Sequence, residues 1–263
     1  MKKTLGVFLS MFLVVGLLAA CGTSNKGVKR ASNEKNVLIM GTSADYPPFE
    51  YVKTEKSNNI IGFDVDLANA LGKKLGYKIQ VKDIDFSGLI QSLKSGEVDL
   101  VLAGMTPTPK RKKNVDFSDI YYTAKYEIIS KKGSGINTLN DLKGKTVGVQ
   151  LGSIQETKAQ EINKTIPIKI ENRNRIPDII EEINAGRFDA AIIENTVAKG
   201  FLTKDTSLTG FEISDKADEA GSAIAFPKNS DLTSKFNNEL KKMKKDGELN
   251  ALIVKWFGGT VQQ

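Results

Sequence analysis

Two stretches of the chain align without gaps: Leu89 to Thr106, LIQSLKSGEVDLVLAGMT, and Ile179 to Thr196, IIEEINAGRFDAAIIENT. Each reads as an amphipathic helix, a glycine able to end it in the left-handed conformation (Gly96, Gly186), a two-residue step to an aspartate (Asp99, Asp189), and a short buried strand. A helix and a strand of that length cannot bury their apolar faces alone, so each copy needs a sheet of its own. The repeat therefore points to two similar α/β lobes, and 263 residues are enough for two of about 100 to 150 each.

The rest of the chain alternates short apolar strands with helical patterns, the mark of a largely parallel α/β architecture. Val37 to Met40 reads as a strand. Gly62-Phe63-Asp64 opens a helix carrying Leu67, Leu71 and Leu75 on one face, with Asp64 and Asp66 in its first turn and Lys73 and Lys74 in its last. Those charges complement the helix dipole. Tyr77 to Val81 is the next strand, and Phe86-Ser87 leads into a helix through Leu89, Ile90 and Leu93. Gly144 to Glu156, GKTVGVQLGSIQE, is a strand ending near Gln150, a glycine, and a helix from about Ser153 whose free amides suit an anion.

In open α/β sheets ligands bind beyond the carboxyl ends of the strands. The first copy offers Gly104, Thr106 and, a loop later in VLAGMTPTPKR, Arg111; the second offers Glu194. A cation from one lobe and an anion from the other suit a small zwitterion: Arg111 can grip an α-carboxylate in bidentate fashion and Glu194 can accept from an α-ammonium. Blander readings stand beside these. Arg111 opens a solvated run with Lys112 and Lys113, and Glu194 is equally an acid at a helix start. Tyr46, in GTSADYPPFEY just after the first strand, and Phe86 are two aromatic faces that could flank a ligand side chain. Phe86 reads equally well as a core residue.

Composition removes several function classes. The chain has no histidine, the residue that most often does acid-base work at neutral pH, and its single cysteine excludes a disulfide framework or a cysteine-built metal site. No cofactor or metal is expected. The net charge of +7 comes from scattered lysines rather than the clustered basic face that nucleic acid requires. Met1-Lys2-Lys3, the apolar run Leu5 to Ala20 and the small residues before Cys21 have the plan of a secretory signal peptide. Gly22 to Asn36 is too polar to bury a core and reads as a flexible tether.

Several motifs in order carry a family resemblance: GFDVDLANALGKKLGYK, DFSGLIQSLKSGEVDLVLAGMTPTPKR, VDFSDIYYTAKYEII, LKGKTVGVQLGSIQE, GRFDAAIIENTVA and GELNALIVKWFG. Together they resemble the family 3 bacterial solute-binding proteins, the extracytoplasmic receptors of polar amino acid ABC importers, and most of all the arginine-binding lipoproteins of Gram-positive bacteria. LAAC resembles a lipobox, which implies acylation of Cys21 after removal of residues 1–20. The resemblance implies a two-lobed, type II periplasmic-binding-protein-like fold, with each lobe a mixed, mostly parallel sheet flanked by helices. Lobe one would be 37–124 plus 226–263, lobe two 125–225, closing on a ligand by hinge motion. It also implies a permease partner, a lipid anchor to the membrane and a monomeric protein that is not an enzyme. Related folds include dehydratases and transglycosylases, which makes an enzyme the competing class.

Carried over residue by residue, the family's carboxylate-binding arginine falls on Arg111 and its ammonium ligand on Glu194, where many members have aspartate. The aromatic walls fall on Tyr46 and Phe86, and backbone and hydroxyl contacts on Gly104, Met105, Thr106 and Gln155. Departures from the basic-amino-acid binders occur at Ser43, where many carry an acid, at Ala103-Gly104, where they carry two serines, and at Ile154, where they carry threonine. Asp45, Glu50 and Asp85 remain as candidates to meet a guanidinium.

Overall fold

The computed structural model describes residues 36–54, 57–213 and 220–258. The expected signal peptide (1–20), Cys21 and tether residues 22–35 lie outside the described residues.

The chain opens with β1 (Val37–Thr42), a small antiparallel unit of β2 (Asp45–Tyr46), β3 (Glu50–Thr54) and β4 (Ser57–Ile61), then α1 (Phe63–Leu75) and β5 (Lys78–Asp83). A 3-10 turn at Phe86–Gly88 leads into α2 (Leu89–Lys94), β6 (Leu100–Val101), the short α3 (Pro109–Lys112) and β7 (Val115–Phe117). β8 (Tyr122–Ala124) carries the chain to β9 (Tyr126–Lys131), β10 (Thr146–Gln150), α4 (Ile154–Asn163), β11 (Lys169–Arg173), α5 (Ile176–Asn184), β12 (Ala190–Glu194), α6 (Asn195–Lys204) and β13 (Leu208–Glu212). β14 (Ala220–Ser222) returns to β15 (Ala225–Pro227), α7 (Asp231–Lys245) and α8 (Glu248–Phe257).

Two five-stranded sheets result, ordered β5-β1-β6-β15-β7 and β11-β10-β12-β9-β13. Each has three parallel strands followed by an antiparallel neighbour, so the two sheets correspond strand for strand. The mixed, two-lobed α/β architecture expected from the repeat is present. β8 and β14 run antiparallel to each other between the sheets. Ala225 pairs with Val101 and Phe117 of the first sheet.

The repeat is repeated in hydrogen bonds. Gly96 and Gly186 both take positive φ, 72° and 73°, and end their helices. The Asp99 carboxylate accepts from the Ile39 N–H (2.7 Å) and the Asp99 N–H donates to the Ile39 carbonyl (2.8 Å). Asp189 does the same with Thr146, at 2.8 and 2.9 Å. Each aspartate thus pins the start of a repeat strand to the preceding parallel strand. Under each helix the partner strand carries a glycine: a Cβ at Gly41 would meet Leu89 and Val98 at 3.2 Å, and one at Gly148 would meet the equivalent Phe188 at 2.5 Å and Ile179 at 2.8 Å.

Helix α1 ends as its sequence asks, on Gly76 in the left-handed conformation (φ 78°). Its apolar face, Leu67, Ala68 and Leu71, is fully buried against α7 and α8. The last helix closes the aromatic floor, with Phe257 stacked on Tyr122 (4.1 Å, 19°) and edge-on to Phe49 and Phe63, both at 5.0 Å. Such pairs add about 0.5–1.5 kcal/mol each beyond burial.

Candidate functional site

The carboxyl ends of the parallel strands face a cleft with about 310 Å³ of empty space, part of it open to solvent. The first sheet and its loops supply Ser43, Asp45, Tyr46 and Glu50, then Phe86, and then Ala103, Gly104, Thr106 and Arg111. Gln150, Ile154, Gln155 and Glu194 line it from the second sheet. Both halves of the repeat therefore end in the same cleft.

Arg111 is held by groups of the protein itself. Thr108 caps α3 by accepting from the Arg111 N–H (3.2 Å), with Pro109 at the first helical position. The guanidinium donates to the Thr106 carbonyl (2.8 Å) and, across the cleft, to the Gly152 carbonyl (3.0 Å), and lies over the Phe86 ring at 5.2 Å. Phe86 is accordingly both things the sequence allowed. It packs against the cluster under α2 and presents its face to Arg111. Burial pushes the Arg111 guanidinium down to about 10, partly offset by Tyr126 and Glu194, so it keeps its charge at neutral pH.

Opposite stands Glu194, 1% exposed at the end of β12, with one carboxyl oxygen unpartnered. Burial, with Asp64 nearby, pushes it up to about 8, while a hydrogen bond with Tyr46 and the charge of Arg111 pull it down. A cation placed there would restore its charge. Gly104 is the equivalent position in the first lobe. It needs to be glycine, since its φ is +54° and a Cβ would lie 3.2 Å from the Tyr46 ring. Beside it the Thr106 hydroxyl is buried without a partner and lines the cleft. The helix start at Ser153 is less open than expected. The Ser153 hydroxyl accepts from the Glu156 N–H (3.1 Å), and the Glu156 carboxylate accepts from the Gly152 N–H (2.8 Å).

The candidate partners of a guanidinium separate clearly. Asp45 is already engaged by the Ser43 hydroxyl (2.6 Å), the Ile176 N–H (2.7 Å) and the Gln150 side chain (3.3 Å); burial nonetheless raises it to about 6. Asp85 is outside the cleft lining and is held by Arg175 (2.8 Å) and Asn174 (2.9 Å). Glu50 is fully buried, lines the cleft, and neither of its oxygens meets an N–H or neutral O–H donor. Met105 is likewise not in the lining: its side chain is 1% exposed in the core under α2 and its carbonyl accepts from the Ala223 N–H (3.0 Å). Its two neighbours, Gly104 and Thr106, line the cleft.

Three groups near the site carried no role in the sequence reading. Gln150 follows from the rule it was read with, being the last residue of a parallel strand. Arg175, just before α5, reaches across to Asp83 (2.9 Å) and Asp85, and no local pattern marked it. Asp64, read as a first-turn acid, is fully buried and accepts from the Gly104 N–H (2.9 Å) and the Tyr121 hydroxyl (2.8 Å).

Residues 38–259 match the bacterial extracellular solute-binding proteins, family 3. The chain belongs to that family. Among curated relatives, the arginine-binding extracellular protein ArtP of Bacillus subtilis (strain 168) is 58% identical over 260 residues, covering 98% of this chain and 99% of its own. Among solved structures, an ancestral arginine-binding protein bound to arginine superposes with a TM-score of 0.79 at 41% identity, covering 85% of this chain and 99% of that one. An ancestral arginine-binding protein bound to glutamine gives 0.79 at 40% identity, covering 86% and 100%. Family membership makes this an extracellular solute-binding chain on a type II fold.

Proposed function

We propose that the protein is the amino-acid receptor of an ABC importer, holding L-arginine between its lobes. The observation that carries this is the charge layout of one cavity: a fixed guanidinium, Arg111, faces a buried acid with an unmet oxygen, Glu194, while a second unmet acid, Glu50, lies further in. The α-carboxylate would sit on Arg111 and the Thr106 and Gln155 side, the α-ammonium on Glu194 and the Thr106 hydroxyl. The side chain would run between Tyr46 and Phe86, past Ser43, Gly104 and Ile154, with its guanidinium at Glu50 and Asp45 behind it. Arginine-binding relatives at high identity support the same ligand.

Lobes of 37–124 plus 226–263 and of 125–225 would move about β8 and β14. The anchor would be a lipid on Cys21 after loss of the signal peptide, placing a monomer on the outer face of the cell membrane beside its permease. Cys21→Ser should appear in the medium or as uncleaved precursor while wild type fractionates with membranes. A wholly soluble wild type after cleavage would remove the anchor. Acid-base catalysis, the competing class, needs a cleft carboxyl without a cationic neighbour; Arg111 bears on Glu194, which leaves Glu50 as the carboxyl such chemistry would have to use.

Calorimetric titration tests the ligand. Arginine should bind at least tenfold more tightly than lysine, whose ammonium cannot use two aromatic faces and a planar fork equally. At 100 times Kd it should stabilise the fold by about 2.7 kcal/mol. Glutamine, histidine, ornithine or cystine displacing arginine at lower concentration would reassign the substrate within the same receptor class.

A further inference from the structure

Behind the cleft, Glu50 of β3 and Asp64 of α1 form a pair of fully buried carboxyl groups. Asp64 Oδ2 takes both available donors, the Gly104 N–H and the Tyr121 hydroxyl. Neither oxygen of Glu50 nor Oδ1 of Asp64 has a hydrogen-bond partner, and the Asp64 N–H donates to the carbonyl of Phe49 (2.9 Å), which sets the two acids side by side. Two ionised carboxylates are acceptors only and cannot satisfy each other, whereas a proton held between them supplies the donor these oxygens lack. The donors on Asp64 favour its charged form, which leaves the proton on Glu50, the member that lines the cleft.

The other groups facing Glu50 do not relieve it. Asp45 and Tyr46 come from β2, Glu194 from β12, and Tyr121 from the segment before β8; none is cationic. Arg175 and Gln150 contact Asp45, and Arg111 donates to carbonyls. Burial and the neighbouring acids together raise Glu50 well above an ordinary carboxyl.

We propose that Glu50 and Asp64 share one proton while the cleft is empty, and that a cationic ligand side chain placed against Glu50 drives that proton out to solvent. This rests on the arginine reading and adds a coupling to it. Asp64, which never touches the ligand, is the positioning residue that keeps Glu50 charged by proton transfer only on demand. The proton balance is simple: guanidinium and protonated pair enter, guanidinium, dicarboxylate and a hydronium-borne proton leave.

The sign follows. The pair binds its proton more tightly empty than liganded, so between those two values binding releases a proton and affinity for arginine rises with pH, by up to tenfold per pH unit for one proton. Above the empty-state value the dependence disappears. Glu194 adds a release of its own when it meets an α-ammonium, but it does so for every amino acid, so comparison with an uncharged isostere cancels it.

Titration calorimetry of the full chain with arginine and with citrulline, each in buffers of different ionisation enthalpy between pH 5.5 and 7.5, reads the protons directly. Arginine should release about one proton more than citrulline, or than glutamine where citrulline binds too weakly. The arginine-to-citrulline affinity ratio should climb with pH over the same range. Glu50→Gln and Asp64→Asn should each abolish the difference. Equal proton counts for the two wild-type titrations would overturn the coupling and leave the arginine reading intact, and this arm needs no variant to fold. Failure of arginine to bind would overturn the reading and the coupling together.

Discussion

The two copies of the repeat are the same structure with different endings. Up to the strand they agree residue by residue: Gly96 with Gly186, Asp99 with Asp189, Leu89 and Val98 over Gly41 as Ile179 and Phe188 over Gly148. Beyond it they part. Where the first lobe has Gly104, turned to positive φ beneath the Tyr46 ring, the second has Glu194, carried into the cleft by a strand that runs on for five residues. Even the following threonines match, each with an unpartnered hydroxyl, although only Thr106 lines the cleft. The lesson is physical. The agreeing positions satisfy backbone constraints that any such unit must meet, and the diverging ones are free of them, which is where ligand chemistry can be placed.

The sharpest way to break this division is to mutate both sides of it. At the diverging ends, Arg111→Ala or Glu194→Ala would leave a ligand charge buried without its partner, at a cost of about 2–5 kcal/mol. Affinity for arginine should fall at least roughly thirtyfold on the tenfold-per-1.4 kcal/mol conversion, while the melting temperature of the empty protein holds. Arg111→Lys should lose much of the affinity too, because lysine lacks the fork. Near-wild-type titrations of either alanine variant would place that residue outside the site.

At the agreeing positions the expected effect moves to stability and is smaller. Gly148→Ala must push a methyl into Phe188 and Ile179 and should cost about 1–3 kcal/mol in chemical unfolding. Gly41→Ala should cost less, since its contacts begin at 3.2 Å and the loss of chain entropy in the unfolded state offsets about 0.4–1 kcal/mol. A larger loss at Gly41 would contradict the packing. Next, Asp99→Ala and Asp189→Ala each strand one backbone N–H and should destabilise by similar amounts, about 1 kcal/mol, with affinity unchanged. Unequal losses would show that the lobes lean differently on the same device. The smallest effect belongs to Arg175→Ala. Its pairs with Asp83 and Asp85 span the lobes but are about two-fifths exposed on the acid side, so arginine affinity should weaken by no more than about fivefold.

Much of this was legible from the chain because its signals are local. The glycine and aspartate of each repeat, the left-handed stop at Gly76 and the capping Ser153 belong to one element and its neighbour. So were the two charges at the strand ends, once the carboxyl-end rule was applied. Glu50 was one of three guanidinium candidates that only the fold could rank, because what distinguishes it from Asp85 and Asp45 is who already occupies the other two. Asp64 was hidden by a sufficient local explanation. An acid in a first helical turn suits the dipole, and nothing in GFDVD says that its carboxylate is buried against Gly104, Tyr121 and Glu50. Met105, expected among the backbone and hydroxyl contacts with Gly104 and Thr106, has its side chain in the core under α2 and its carbonyl paired with the Ala223 N–H.

A crystal structure of the arginine complex tests the proposed orientation of the ligand most directly. The α-carboxylate should lie within hydrogen-bond distance of the Arg111 guanidinium, the α-ammonium against Glu194, and the ligand guanidinium between Tyr46 and Phe86 at Glu50. Arginine bound with its carboxylate away from Arg111, or anywhere outside the cleft between the two sheets, would contradict it.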